Sequence, residues 1–406
     1  MILRNRGLLA LLVAELVSRV GSAMTNVALP WFVLVTTHSP AKMGIVLAFE
    51  LAPVALLGVP SGTVVSRIGA RSTMLVADLA RVPLMVSLPI LHAAGLLSFP
   101  VLLVLVALFG CFSAPYFASQ RVILPELIGN DQRAISQANS VLEGATQTST
   151  LFGPPLAGVL IAALGASNVL YIDAASFAFS FLTVLLFVPA RKRAAVPEES
   201  GGVLAGIKFL LRDALMGPLA SVVVLLNALG QMLSASLPVL AFDRYGDAKV
   251  VGWLFAAYGR GGLIGTLTAF QLVKRMEPIV MASLAALGFA LPLWVLVARL
   301  PLAAILAAIA FTAMCGPLIN APMFGLITTR TPQALLPKVM TAIITLATVA
   351  GPLGLILAGL LLQHEGLTVT FTVIAAGVTR VCLVFAALLT RFRRRELQTA
   401  AAAAGS

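Results

Sequence analysis

Twelve long apolar runs, each closed off by charged residues or by Pro and Gly, are what any fold of this chain has to accommodate. They lie near residues 8–36, 43–66, 72–95, 99–120, 135–163, 168–190, 217–242, 250–273, 277–299, 301–328, 336–363 and 367–390. As helices rising about 1.5 Å per residue, runs of this length cross the roughly 30 Å hydrocarbon core of a bilayer. Soluble domains are about half apolar and a quarter charged. This chain of 406 residues is 60% apolar and 10% charged, with a mean hydropathy of +1.04, more apolar surface than one soluble core could cover. The pattern predicts an all-α membrane protein with twelve transmembrane helices. Arg4 and Arg6 ahead of the first run suggest a secretory signal, but Glu15 and Arg19 interrupt that run and no small-residue cleavage site stands out, so it is read as a retained helix.

Orientation follows from the basic residues. Among the 27 Lys and Arg, those outside the runs crowd onto one side, leaving only Lys42, Arg244, Lys249 and Arg299 on the other. The positive-inside rule places both termini in the cytoplasm. The net charge of +12 is thereby spread over loops that face anionic lipid, with no aromatic or motif context for bases, which excludes a nucleic-acid partner. The longest polar interlude, Ala190 to Gly217, divides the chain into six spans plus six: a bundle over 1–190, a cytoplasmic linker over 191–216, a second bundle over 217–390 and a disordered cytoplasmic tail over 391–406. Within the linker, Val203, Ile207, Leu210 and Leu211 set against Lys208, Arg212 and Asp213 suit a short amphipathic surface helix; a plain linker fits equally. The halves echo each other. FGPPLAG (152–158) answers AGPLG (350–354), and Gly62-Thr63 answers Gly265-Thr266, as in duplicated transporters.

Between the second and third spans, Gly62, Val64, Val65, Ser66, Arg67, Gly69 and Arg71 follow the loop signature of the major facilitator superfamily, which the chain resembles over essentially its whole length. Ser66 stands where that family usually has Asp, and Ala70 replaces a basic residue. In the fifth span Gly153, Pro154 and Gly158 resemble the family's antiporter element, with Ala157 in place of one Gly. Together with Asp78, Arg81, Gln137-Ala138-Asn139 and IDAASF (172–177), they resemble the macrolide-efflux and enterobactin-exporter-like branch. The resemblance implies two pseudo-symmetric six-helix bundles, alternating access about a midplane site, and export. It also implies a latch at the cytoplasmic loop that Ser66 puts in question. Asp78, the acid that could replace it, lies about 18 Å along an ideal helix from residue 66.

Charges inside the spans carry the remaining information. Glu15, Arg19, Glu50, Asp78, Arg81, Glu143, Arg260 and Arg380 fall within them. At a minimum of ~2.5 kcal/mol each near the bilayer centre, eight unpaired charges would cost on the order of 20 kcal/mol, so they must pair, neutralise or face water. Helical spacing puts Glu15, Arg19, Ser22 and Asn26 on one polar stripe, and Asn139, Glu143, Thr146, Gln147 and Thr150 on another. Asn227, Gln231 and Ser234 form a third, and Thr312, Gly316 and Asn320 a fourth. Glu15 and Arg19 fit a self-contained i,i+4 pair equally well, and Asp78 with Arg81 fits a structural network. Glu143 and Glu50 have no base one turn away and lie well inside their spans, where a carboxylate can exchange protons across a gradient. They lead the proton-coupling candidates, ahead of Glu15 and Asp78, with Arg19 as the base that modulates one of them.

Candidate substrate contacts are Arg19, Asn26, Trp31, Tyr116, Gln147, Asn227, Gln231, Tyr258, Arg260 and Asn320. An apolar lining with a few polar groups suits a large, partly apolar solute, although Trp31 equally suits an interfacial belt. No P-loop, HExxH, GxSxG or paired-cysteine metal pattern is present, so an enzyme, a nucleotide-driven pump, a cofactor and a metal are not expected. What remains is a proton-coupled exporter of drugs or amphipathic natural products, read as a monomer in the lipid bilayer. An importer on the same fold and a non-transporting receptor or scaffold are the alternatives. Arg outnumbers Lys, 21 to 6, which points to a GC-rich bacterium and its cytoplasmic membrane.

Overall fold

The computed structural model describes residues 6–128, 132–189, 202–213, 216–332 and 335–404, and all regular structure among them is helical. The first half comprises α1 (Arg6–Thr37), α2 (Pro40–Ile68), α3 (Ala70–Ala93), α4 (Phe99–Ile128), α5 (Gln132–Leu164) and α6 (Ala166–Phe187). A short α7 (Gly202–Arg212) leads to α8 (Met216–Tyr245), α9 (Ala248–Leu272), α10 (Pro278–Ala290), α11 (Leu302–Arg330), α12 (Leu336–His364) and α13 (Gly366–Ala404), with a 3-10 turn over Leu291–Leu296 after α10. Among the described residues eleven helices are long and apolar enough to cross a membrane: α1 to α6, α8, α10 together with the 3-10 turn that continues it to Leu296, and α11 to α13. The twelfth expected span, α9, is 25 residues long but is not among the eleven; Lys249, Arg260 and Gln271 make it more polar.

At the ends of the second half one expectation changes, that of the tail. Residues 190–201 of the linker lie outside the described residues, while its amphipathic part is α7. Gly206 and Leu210 are buried there, with Lys208, Leu211 and Arg212 exposed; a Cβ on Gly206 would collide with the carbonyl of Lys338 at the start of α12. The tail, expected to be disordered from 391, is helical as far as Ala404, in keeping with its run of alanines, the strongest helix former.

The helices gather into two compact units, one of residues 1–198 with 237–256, the other of 199–236 with 257–406. The hairpin joining α8 to α9 thus packs with the first unit rather than with the rest of 217–390. Its Gly252 lies against Pro154 and Pro155 of α5, and Gly158 of α5 lies against Ala248 and Lys249. Within the units the same helix pairs recur. The first has α1 on α5 and α6, α2 on α4, and α3 on α4 and α6. In the second, Gly354 of α12 and Gly377 of α13 abut Ala228 and Leu229 of α8, and α10 packs on α11 and α13. In the α2/α4 pair, a Cβ on Gly110 would strike the Glu50 carbonyl; in the matching α9/α11 pair, Gly261 and Gly265 stand against the carbonyls of Ala310 and Met314. Small residues permit this backbone contact, which holds helices together where lipid supplies no hydrophobic drive.

Gly69 alone separates α2 from α3. Its φ of +86° is one that side-chain-bearing residues rarely adopt, which accounts for the glycine in that loop. Gly110→Val is expected to destabilise the protein by about 1–3 kcal/mol through overpacking, seen as a lower melting temperature in detergent. Gly325→Ala, where the added Cβ meets nothing within 4 Å, is expected to leave it unchanged or raise it by up to about 1 kcal/mol through helix propensity.

Candidate functional site

Acidic side chains in the first unit fall into two groups at different depths. The i,i+4 spacing on α1 sets Arg19 Nε 3.4 Å from Glu15 Oε2. Two residues one turn apart on α4 complete the shell of Glu15: Tyr116 donates its hydroxyl to Oε1 at 2.9 Å and Gln120 Nε2 donates to Oε2 at 2.5 Å. Arg19 Nη2 in turn donates to Gln120 Oε1 at 3.0 Å. On α3 the i,i+3 spacing pairs Arg81 with Asp78, and Ser180 of α6 donates to Asp78 Oδ2 at 2.8 Å. The Arg81 guanidinium is sandwiched by rings, 3.9 Å from the centre of Tyr116 and 4.4 Å from that of Phe177. Its buried Nε has no hydrogen-bond partner among the described residues, and the rings stabilise the charge by cation–π contact. Two acids and two bases are thereby balanced across α1, α3, α4 and α6.

The second group holds acids without bases. Asp173 of α6 is fully buried and accepts from Thr25 Oγ1 of α1 at 2.5 Å and from Ser176 Oγ at 3.0 Å. Gly21 makes room for it, since a Cβ there would overlap both Asp173 and Ser176. Glu50 of α2 is half-buried and has no hydrogen-bond or ion-pair partner among the described residues. Its cavity is lined by Leu29, Met85, Leu88, Val106 and Phe109. Phe109 and Phe177, with ring centres 5.7 Å apart, lie between this group and the Arg81 cluster.

Other residues singled out in the sequence are more scattered. Glu143, expected to be desolvated, is exposed on α5, where Gln147 Nε2 donates to its Oε1 at 3.0 Å; its depth along the helix does not place it inside the unit. Asn26, Asn227, Tyr258, Arg260, Asn320 and Arg380 are exposed and Gln231 is half-buried. Trp31 is buried, edge-on to Phe242 at 5.6 Å, and Tyr116 is buried with its hydroxyl engaged by Glu15, so neither presents a free surface. Ser66 Oγ turns back to the Thr63 carbonyl at 2.9 Å. Asp78 does not replace the missing loop acid, because Arg81 and Ser180 hold both of its oxygens. Arg71 instead clasps the end of α6, donating from Nε to the Val188 carbonyl at 2.6 Å and from Nη2 to that of Leu185 at 2.8 Å, where a cation also complements the helix dipole.

Asp173, Thr25, Gln120 and Ser180 were not among the candidates drawn from the sequence. The signal for Asp173 was its i,i+3 and i,i+7 spacing to Ser176 and Ser180, a polar stripe on an otherwise apolar helix. Arg81→Met is expected to leave Asp78 buried without its base and to cost about 3–5 kcal/mol. Adding Asp78→Asn to that variant should recover most of the loss, as measured by thermal unfolding in detergent.

The Major Facilitator Superfamily model matches residues 11–248. The chain is 28% identical over 403 residues to the multidrug efflux pump Tap of Mycolicibacterium fortuitum, covering 96% of this chain and 97% of that protein. It is 28% identical over 350 residues to the enterobactin exporter EntS of Escherichia coli O127:H6, covering 81% and 79% respectively. Among solved structures, a point mutant of the nucleoside transporter NupG superposes with a TM-score of 0.77 at 15% identity, over 94% of this chain and 99% of that one, a likeness of fold alone. With more than half its length matched by the family model and its helices superposing on a solved transporter, the chain belongs to the Major Facilitator Superfamily of membrane transporters.

Proposed function

We propose that the protein is a secondary active transporter that exports drugs or amphipathic natural products in exchange for protons. The observation that carries this reading is the full-length similarity to a protein named as a multidrug efflux pump, supported by the exporter relative EntS. The buried acids supply what such coupling needs, since no nucleotide-binding loop is present in the sequence to power transport. In this reading α9 is the twelfth span, both termini are cytoplasmic because the basic loops lie on that side, and the protein works as a monomer in a bacterial cytoplasmic membrane. The two six-helix halves alternate access to a central site. Glu50, half-buried and without a base, carries coupling. Glu143 and Gln147, exposed and bonded to each other, meet solute instead, together with Asn26, Asn227, Tyr258, Arg260 and Asn320.

The test is uptake of an amphipathic cationic dye such as ethidium into proteoliposomes with an acidic lumen. Concentration of the dye that collapses when an ionophore dissipates the pH gradient is expected. Accumulation indifferent to the gradient, or solute movement in the same direction as protons, would overturn the reading. Glu50→Gln is expected to abolish gradient-driven concentration. Glu143→Gln should instead raise the dye concentration needed for half-maximal transport while preserving the drive.

A further inference from the structure

Three of the buried acids in the first unit have their charge answered in different ways, and the difference separates structural from titrating roles. Glu15 has Arg19 and Asp78 has Arg81. Protonating a carboxylate held by a fixed guanidinium would leave the cation unanswered in a medium that solvates it poorly. Asp173 has only the hydroxyls of Thr25 and Ser176. Hydroxyls serve either state: they donate to a carboxylate and accept from a carboxylic acid. When they are not needed as donors, Ser and Thr in helices bond the carbonyl one turn back, as Thr36, Ser61, Thr146 and Ser236 do in this protein. For Thr25 that carbonyl belongs to Gly21, the residue whose missing side chain makes room for Asp173.

We infer that Asp173, with Thr25 and Ser176 as its switchable partners, is a proton-carrying residue of the transport cycle and shares that role with Glu50. On protonation an O–H bond forms at a carboxylate oxygen, the proton coming from water on the side to which the site is open. The Thr25 hydroxyl then turns from Oδ2 to its own helix, and the proton returns to water on the other side when the site reopens. Other charged groups on the helices around α6 leave room for this. Glu15 and Arg19 of α1 are committed to each other and to Gln120. Arg81 of α3, the cation that acts on Asp173, is bonded to Asp78. Glu50 of α2 is half-buried and Glu143 of α5 is exposed. An acid answered only by hydroxyls takes up and releases a proton without stranding a cation beside it.

The inference rests on the exporter reading, and the experiment separates the two. Wild type, Asp173→Asn, Asp173→Glu and Thr25→Val are reconstituted, and each is assayed for ethidium concentration driven by a pH gradient and for counterflow exchange without one. Asp173→Asn is expected to retain counterflow while its gradient-driven concentration ratio falls to unity; Asp173→Glu restores the drive. Thr25→Val is expected to keep the drive but displace its pH profile. If wild type concentrates dye and Asp173→Asn does so equally, the assignment of Asp173 is overturned and the exporter reading survives. If wild type itself shows no gradient-driven transport, the exporter reading falls and takes this one with it. Should Asp173→Asn fail to fold, an unmoved pH profile in Thr25→Val overturns the assignment.

Discussion

An ionised side chain in hydrocarbon has to be answered from within the protein, and in the first unit the counter-charge comes from the same helix while the remaining partners come from its neighbours. Arg81 shows how much structure that requires. Its charge is met by Asp78 on its own helix, its faces by Tyr116 of α4 and Phe177 of α6, and Tyr116 then uses its hydroxyl for Glu15 of α1. One guanidinium therefore brings four helices into a single arrangement. Because buried charge pairs cost more to break than they contribute when intact, the cluster acts chiefly to fix register: a helix displaced by a turn would expose at least one unbalanced charge.

That arrangement was legible in the sequence only where partners are neighbours along one helix. The twelve apolar runs, the Glu15–Arg19 spacing and the Asp78–Arg81 spacing are periodic facts, and they anticipated eleven sufficiently apolar helices and both ion pairs. Tyr116 and Gln120 reach Glu15 across more than a hundred residues, and Thr25 reaches Asp173 across 148; no spacing rule connects such positions. Glu143 shows the same limit from the other side. Depth along a helix was readable, but the direction in which the side chain faces depends on what packs beside it. The α8–α9 hairpin is a third case, since its glycines gave no hint that they would meet the prolines of α5.

Duplication shows in the packing more clearly than in the residues. Corresponding helix pairs touch in both units, yet the glycine that permits contact sits on α4 in one pair and on α9, the counterpart of α2, in the other. The requirement is for a close backbone approach, and either surface can provide the hollow. The polar chemistry is not duplicated in the same way: among the described residues, the hydrogen-bonded acids buried in the spans, Glu15, Asp78 and Asp173, all belong to the first unit. The two halves therefore share a scaffold while, among the described residues, one of them holds the buried, hydrogen-bonded acids.

Gly69 joins α2 to α3 through a single residue, and two residues later Arg71 grips the last carbonyls of α6. A loop that short has no slack. A tilt of α2 must be passed to α3 much as one arm of a crank moves the other, and the grip of Arg71 carries it on to the end of α6. The far arm of that crank is α6 itself, the helix that bears Asp173, so the loop and the buried acid are joined through two hydrogen bonds and one continuous helix.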